Sequence, residues 1–336
     1  MSRSSVCLVV LLSAGVLAGC GSAQPEAAPV LRTVKVNRNS HMTSGPLLLA
    51  EDAGYFAEQG LKIEFVDMNR GEESLIALLG GELDVLHGPL HPGLLTAVAR
   101  GGEIRIVAGL NVLDPQGCTY HAIVLRPGLT PEEAQRGIRR LDASRDGSTR
   151  YLAGRMLATR GINIDTLNTL KLPAEVIGHS LGNGSVDAAS LSEPLVTRIG
   201  RTGTVWLRSH EATPGFQWSV MSFGKKLLRD DPEAGVRFLT AYRRGVVLFR
   251  EGKTPGNLER LERLTQEDRK VLEASCWPSF PTDLRPNMSS VLDYQQWALE
   301  HDYLDETATL AQLWDSSFVV ASDSAFLRHL TIPPGN

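Results

Sequence analysis

Residues 45–65 read Gly45-Pro46-Leu47-Leu48-Leu49-Ala50-Glu51-Asp52-Ala53-Gly54-Tyr55-Phe56-Ala57-Glu58-Gln59-Gly60-Leu61-Lys62-Ile63-Glu64-Phe65. Ser44 can cap a helix here, and Pro46 is tolerated in the first turn, where a missing N–H costs no helical bond. Leu49, Ala53 and Phe56 fall at i, i+4 and i+7, one apolar face of a helix that Gly60 ends. Leu61 to Phe65 then alternates as a half-buried strand does. Outward from this stretch the same grammar repeats. Thr33 to Val36 is a β-type run, Glu72 to Leu79 a helix and Leu83 to Leu86 a strand. Gly93 to Arg100 is a helix and Ile104 to Ala108 a strand. The order β-α-β-α-β-α-β predicts a mostly parallel sheet covered by helices, an α/β fold.

A second unit follows. Ile138 to Ala143 is strand-like, and Gly147-Ser148-Thr149 opens a helix with Leu152 and Met156 at i, i+4. Strands at Leu167 to Leu172, Asp187 to Leu191 and Thr204 to Leu207 alternate with helices at Ala174 to Leu181 and Pro194 to Ile199. The two units echo each other: Gly81-Glu82-Leu83-Asp84-Val85 against Gly184-Ser185-Val186-Asp187-Ala188. Tyr120 to Leu125 and Phe216 to Phe223 are extended apolar segments on either side of the second unit. The remainder is helical in pattern, as in Val236 to Phe249, Leu258 to Leu264 and Val291 to Leu299. The expected organisation is two α/β lobes, 32–119 with 217–336 and 120–216, joined by two crossover segments. Ligands of open α/β sheets bind at the carboxyl ends of the strands, which places a cleft between the lobes.

At this point the chain resembles a known family, the extracytoplasmic solute-binding proteins of ABC importers in the nitrate, sulfonate, taurine and thiamine-precursor group. The resemblance rests on the Ala-x-x-x-Gly-Tyr-Phe-x-x-x-Gly-Leu-x-Ile core of residues 50–63. It is supported by the Gly81–Val85 turn, by Gly147-Ser148-Thr149 and by Asp187-Ala188-Ala189 followed by Glu193-Pro194. Ser192 stands where the family often has an aromatic residue. The resemblance implies the type II periplasmic binding protein fold, a single small-molecule ligand, ABC permease subunits as partners, no cofactor and no catalysis.

The N-terminus carries an address. Arg3 precedes the apolar run Val6 to Leu12, which is too short to span a bilayer and has the layout of a secretory leader. Leu17-Ala18-Gly19-Cys20 resembles the lipobox of bacterial lipoproteins. This implies cleavage before Cys20, acylation of Cys20 and a membrane anchor facing the periplasm or the extracellular side. Residues 1–19 are expected as leader and 20–31 as a flexible tether. Of the other cysteines beyond the leader, Cys118 and Cys276 either pair outside the cytosol or stay separate thiols.

The chain carries 34 Lys and Arg against 38 Asp and Glu, a formal charge of -4. Loss of Arg3 with the leader makes it one unit more negative. No positive excess is available to displace counterions from nucleic acid, so nucleic acid is not an expected partner. The expected state is a monomer.

The expected ligand residues gather at the predicted cleft. Asn39, Ser40 and His41 lie in the first loop, and His87 and Gly88 lie at the third strand's end. Thr119 and His121 lie at the first crossover, and Trp218 lies on the second. Ser148 and Thr149 sit at a helix N-terminus, where free N–H groups and the dipole favour an acceptor; plain capping is the alternative. Glu193 either accepts hydrogen bonds from a ligand nitrogen or caps its own helix. Arg150 follows the helix start and either meets the ligand or points to solvent. His41, His87, His91 and His121 serve an organic ligand, a transition metal or only the fold; no metal-ligand spacing supports the second. Trp218 and Tyr120 stack on a planar ligand or pack the hinge. Asp84 and Asp187 read as structural. The leading expectation is capture of a small polar, aromatic or nitrogen-containing solute. A sensory ligand-binding lipoprotein, or an enzyme on the same fold using His41, His87 or Glu193 as acid or base, are the alternatives.

Overall fold

The computed structural model describes residues 31–38, 42–68, 71–143 and 147–331. The leader, Cys20, the tether and the loop residues Asn39, Ser40 and His41 lie outside them.

Among the described residues, ten strands form two five-stranded sheets. The first contains β1 (Arg32–Arg38), β2 (Leu61–Asp67), β3 (Val85–Pro89), β4 (Ile104–Gly109) and β10 (Ser219–Gly224), in the order β2-β1-β3-β10-β4. The second contains β5 (His121–Leu125), β6 (Arg140–Asp142), β7 (Asn168–Leu170), β8 (Ala188–Ser192) and β9 (Thr204–Arg208), in the order β7-β6-β8-β5-β9. The two extended segments expected to connect the lobes are themselves strands. β5 runs antiparallel to β8 and β9, and β10 runs antiparallel to β3 and β4. Each crossover therefore lies inside the sheet it enters, between two strands antiparallel to it, and each sheet is mixed rather than all parallel. This is the two-lobe type II arrangement.

Fifteen α-helices are described. In lobe one, α1 (Gly45–Asp52), α2 (Tyr55–Glu58), α3 (Gly71–Gly80) and α4 (Pro92–Ala99) follow the early strands. Lobe two holds α5 (Pro131–Gly137), α6 (Gly147–Ala158), α7 (Ala174–Gly182), α8 (Leu195–Gly200) and the single turn α9 (Ser209–Ala212). The chain then returns to lobe one with α10 (Pro232–Arg250), α11 (Pro255–Thr265), α12 (Arg269–Ala274), α13 (Met288–Glu300), α14 (Leu310–Leu313) and α15 (Ser317–Thr331).

The opening stretch forms two helices, not the expected one. Gly54 takes φ +75°, a left-handed conformation that ends α1 and restarts the chain as α2. Ala53 is thus a cap rather than a core position, while Phe56 is fully buried against Phe238 of α10. Neither does Ser44 cap α1 through its hydroxyl, which is engaged elsewhere.

The sequence echo is a structural one. Gly81 and Gly184 both take positive φ, at 78° and 76°. The Asp84 N–H donates to Lys35 O, and the Asp84 carboxylate accepts from Lys35 N–H. Asp187 makes the same pair with Arg140. Each aspartate ties its strand to the neighbouring parallel one, at the start of β1's pairing in one lobe and of β6 in the other.

Candidate functional site

Leu90, just after β3, and Ser148, at the start of α6, meet across the two lobes. On the lobe-one side, Asn37, Ser44 and His87 are all buried. His87 Nδ1 lies 3.1 Å from Asn37 Oδ1 and His87 Nε2 lies 3.0 Å from Ser44 Oγ. Beside them, a Cβ on Gly88 would meet no atom of the described residues within 4 Å. His91 packs its ring against Gly71 and Gly93, and its Cβ would stand 3.9 Å from a Cβ on Gly147 of lobe two.

The crossovers bring in aromatic groups. Trp218 is buried, with Tyr120 edge-on at 5.7 Å and the His121 ring at 4.6 Å. His121 Nδ1 lies 3.1 Å from Ser192 Oγ, and Nε2 lies 2.8 Å from Ser190 Oγ. Burial pushes the His121 pKa down to about 3, so the ring is neutral at physiological pH. Burial, followed by the Glu193 charge, raises that of Tyr120, whose hydroxyl bonds to Thr43 of lobe one. Thr119 is half-buried beside Cys118.

Glu193 is buried at the start of α8. Its carboxylate accepts from the Thr197 N–H and hydroxyl, both at 2.9 Å, and from the Cys276 N–H at 2.9 Å. Burial raises its pKa, and these hydrogen bonds oppose the rise. It therefore caps α8 and also fastens lobe two to the segment after α12. Cys118 and Cys276 form a disulfide in that same region.

On the lobe-two side, Gly147 at φ +74° starts α6, and the Ser148 N–H donates to Leu90 O of lobe one at 3.2 Å. Ser148 is 1% exposed, and its hydroxyl has no hydrogen-bond partner among the described residues. Thr149, next in the helix, is half-buried. Arg150 neither joins this group nor reaches solvent; its guanidinium bonds to Asp165 at 2.6 Å and to Thr169 at 3.4 Å. Arg38, at the end of β1, forks onto Asp67.

His87, His121, Ser148, Glu193 and Trp218 thus belong to one connected group. Leu90 links Ser148 to the Trp218 carbonyl, and Tyr120 O accepts from the Glu193 N–H. Asn37, Thr43, Ser190 and Ser192 complete it. Sequence reasoning passed over these four because short polar residues at strand ends carry no spacing signal. None of the hydrogen bonds that join the group among the described residues comes from a Lys or Arg side chain. Among the described residues no cluster of three His, Cys, Asp or Glu side chains could hold a metal ion, and no helix is long and apolar enough to cross a membrane. A group of this kind brings hydroxyls, an amide, imidazoles and a carboxylate together beside an indole.

Residues 27–242 match the model of the NMT1-like family. No curated protein matches the chain. Among solved structures, the chain is similar to the zinc-bound ligand-binding component of an ABC-type import system from Staphylococcus aureus. The two share 15% identity over 86% of this chain and 98% of that one, with a TM-score of 0.71. The aliphatic sulphonate binding protein SsuA from Escherichia coli shares 14% identity over 86% and 94%, with a TM-score of 0.70. The desulfurization enzyme DSZB shares 15% identity over 89% and 99%, with a TM-score of 0.66. Identities this low speak for the fold alone.

Proposed function

The chain belongs to the NMT1-like family, and on that premise we propose that it is an extracytoplasmic solute-binding lipoprotein of an ABC importer. Cys20 carries the lipid anchor, and the protein works as a monomer that hands its solute to permease subunits. The observation that carries this reading is the joint construction of one buried polar group by both lobes, bridged by the Ser148 N–H and Leu90 O. Hinge closure around the solute assembles that group, and opening releases it. No bond of the solute needs to change. The ABC import component of Staphylococcus aureus and SsuA, both described as binding proteins, support the assignment.

The solute is small, polar and uncharged, with nitrogen or an aromatic ring. Support comes from the neutral His121, the indole of Trp218 and, among the described residues, the absence of a guanidinium or ammonium from the group's hydrogen bonds. A sulfonate or nitrate would want a charge-assisted partner. A thermal-shift screen with nitrate, alkanesulfonates, pyrimidines and amines tests this. A ligand at 100 times its Kd raises stability by about 2.7 kcal/mol. A neutral nitrogen heterocycle that raises Tm supports the reading; a response to oxyanions alone refutes the solute class, and no response at all refutes the ligand set. DSZB, an enzyme on the same fold, favours a second reading as an enzyme, which turnover of a bound solute in the absence of any permease would support.

A further inference from the structure

The buried residues of α6 serve two cores. Ala153, Met156 and Leu157 pack into lobe two, whereas Tyr151 and Leu152, in the first turns, pack into the core of lobe one. The Tyr151 ring enters an aromatic socket there. Phe216 on the return crossover lies 5.1 Å away, and Tyr294 and Trp297 of α13 stand edge-on at 5.5 and 5.2 Å. One turn before Tyr151, the Ser148 N–H donates to Leu90 O of lobe one at 3.2 Å. The first N–H groups of a helix find no acceptor within it, so this amide is protected by the other lobe. The second connection between the lobes is of another kind. α8 covers the opposite face of the lobe-two sheet from α6. At its start the buried Glu193 carboxylate accepts from the Cys276 N–H at 2.9 Å, and further along Arg198 pairs with Glu267. Cys276 is itself bonded to Cys118, three residues before β5. One flank is thus held by a covalent bond and by carboxylates, the other by rings and a backbone hydrogen bond.

We propose that Tyr151 is a positioning residue, the latch of lobe closure: its ring seats the first turn of α6 on lobe one, on the flank that opens, while the Cys276 flank is the pivot. Opening at α6 withdraws one ring from its socket and bares the Ser148 N–H, without breaking a covalent bond. Opening at the other flank would strip a hydrogen bond from a buried carboxylate, which is costly, while the disulfide keeps Cys276 beside the start of β5. The latch sets the population of the closed form, and through it the strength with which a solute is held. That last consequence rests on the solute-capture reading; the latch itself does not.

The test is amide hydrogen exchange, read by NMR on the full chain without ligand, because each flank carries an amide protected by the other lobe: Ser148 at the latch and Cys276 at the pivot. Relative to their intrinsic rates, Ser148 should exchange faster than Cys276. Its rate should also respond weakly to low urea, as local opening does, whereas that of Cys276 should rise steeply, as global unfolding does. Loss of the three ring contacts in Tyr151→Ala should speed Ser148 exchange about tenfold, and Tyr151→Phe, which keeps the ring, should match wild type. A Tyr151 that only stabilised the fold would leave Ser148 exchanging through global unfolding, with the urea dependence of Cys276. That result overturns the proposal, as does faster exchange at Cys276 or an unchanged Ser148 rate in Tyr151→Ala. Should Tyr151→Ala not fold, Trp297→Ala removes a half-buried wall of the socket from the lobe-one side and should speed Ser148 in the same sense; the wild-type urea dependence decides in either case. Failure of solute capture as a function would leave these rates standing.

Discussion

Acidification should destabilise this protein through His121, and the size of the effect follows from its burial. The imidazole sits between Ser190 and Ser192 against Trp218, and burial lowers its folded pKa to about 3. In the unfolded chain it returns to about 6.5. Because the folded value is the lower one, the neutral ring's contribution is fully present above about pH 6.5. It is lost as pH falls toward 3, since only the unfolded state takes up the proton in that window. Between pH 7 and pH 5 the linkage relation gives a loss of about 2 kcal/mol from this one group. The carboxylates that titrate in the same window affect wild type and variant alike, so the difference isolates His121. Urea unfolding of wild type and His121→Gln at the two pH values measures it. Gln keeps a polar group between the serines but cannot be protonated. The wild type should lose about 2 kcal/mol more than the variant over this interval. Equal losses would show that the ring does not change protonation on unfolding in this range, and the burial argument would fail.

Other perturbations test the packing and the links between lobes. A Cβ on Gly245 of α10 would collide with Pro46 O and stand 2.7 Å from Ala50 Cβ of α1, so Gly245→Ala should cost about 1–3 kcal/mol or more, read by chemical denaturation. Reduction of Cys118–Cys276, or its replacement by two serines, releases a loop with a sequence separation of 158 and should lower stability by about 2–5 kcal/mol, seen as a fall in the urea midpoint. Glu193→Gln places an amide nitrogen against one of the N–H donors at Thr197 or Cys276 and should cost about 1–3 kcal/mol. Hydrogen exchange at the Cys276 amide should accelerate in that variant, and unchanged protection there would show that Glu193 does not hold the two lobes together.

Much of the scaffold was legible because it depends on local rules. Alternation marked β2, and the Gly-x-(Leu/Val)-Asp echo marked the turns before β3 and β8. In both turns the glycine adopts the left-handed backbone and the aspartate accepts from the neighbouring strand, so the residue types follow from the geometry. The break at Gly54 was not legible. The face Leu49–Ala53–Phe56 satisfies a continuous helix as well as it does two short ones, and the choice rests on Phe56 meeting Phe238 far along the chain. The site was legible only in part. His87, His121, Ser148, Glu193 and Trp218 could be placed because a strand end, a helix start or a crossover frames each. Asn37, Thr43, Ser190 and Ser192 are defined by what they touch, and those contacts cross from strand to strand or lobe to lobe. Nor could spacing decide the cysteine pair, since 158 residues separate its members.

The charge of the cleft is a product of the fold rather than of composition. Arginines do stand beside it: Arg38 ends β1, and Arg150 lies in the first turn of α6, two positions where a guanidinium could meet a bound anion. Arg38 is held by Asp67 on the adjacent strand β2, in a bidentate fork with bonds of 2.8 and 3.1 Å. Arg150 is buried and held by Asp165, in the segment that leads into β7, and by Thr169 of β7 itself. Freeing either guanidinium would break these bonds, and for Arg150 it would leave a charge unpaired in a buried position, which is costly. What remains in the group is a set of hydroxyls, amides and imidazoles with the Glu193 carboxylate, itself held by Thr197 and Cys276. Neighbours hold the two imidazoles in place: Asn37 and Ser44 beside His87, Ser190 and Ser192 beside His121. A chain of this near-neutral composition could have bound an anion had these two arginines turned inward; their carboxylate partners are what argue that it does not.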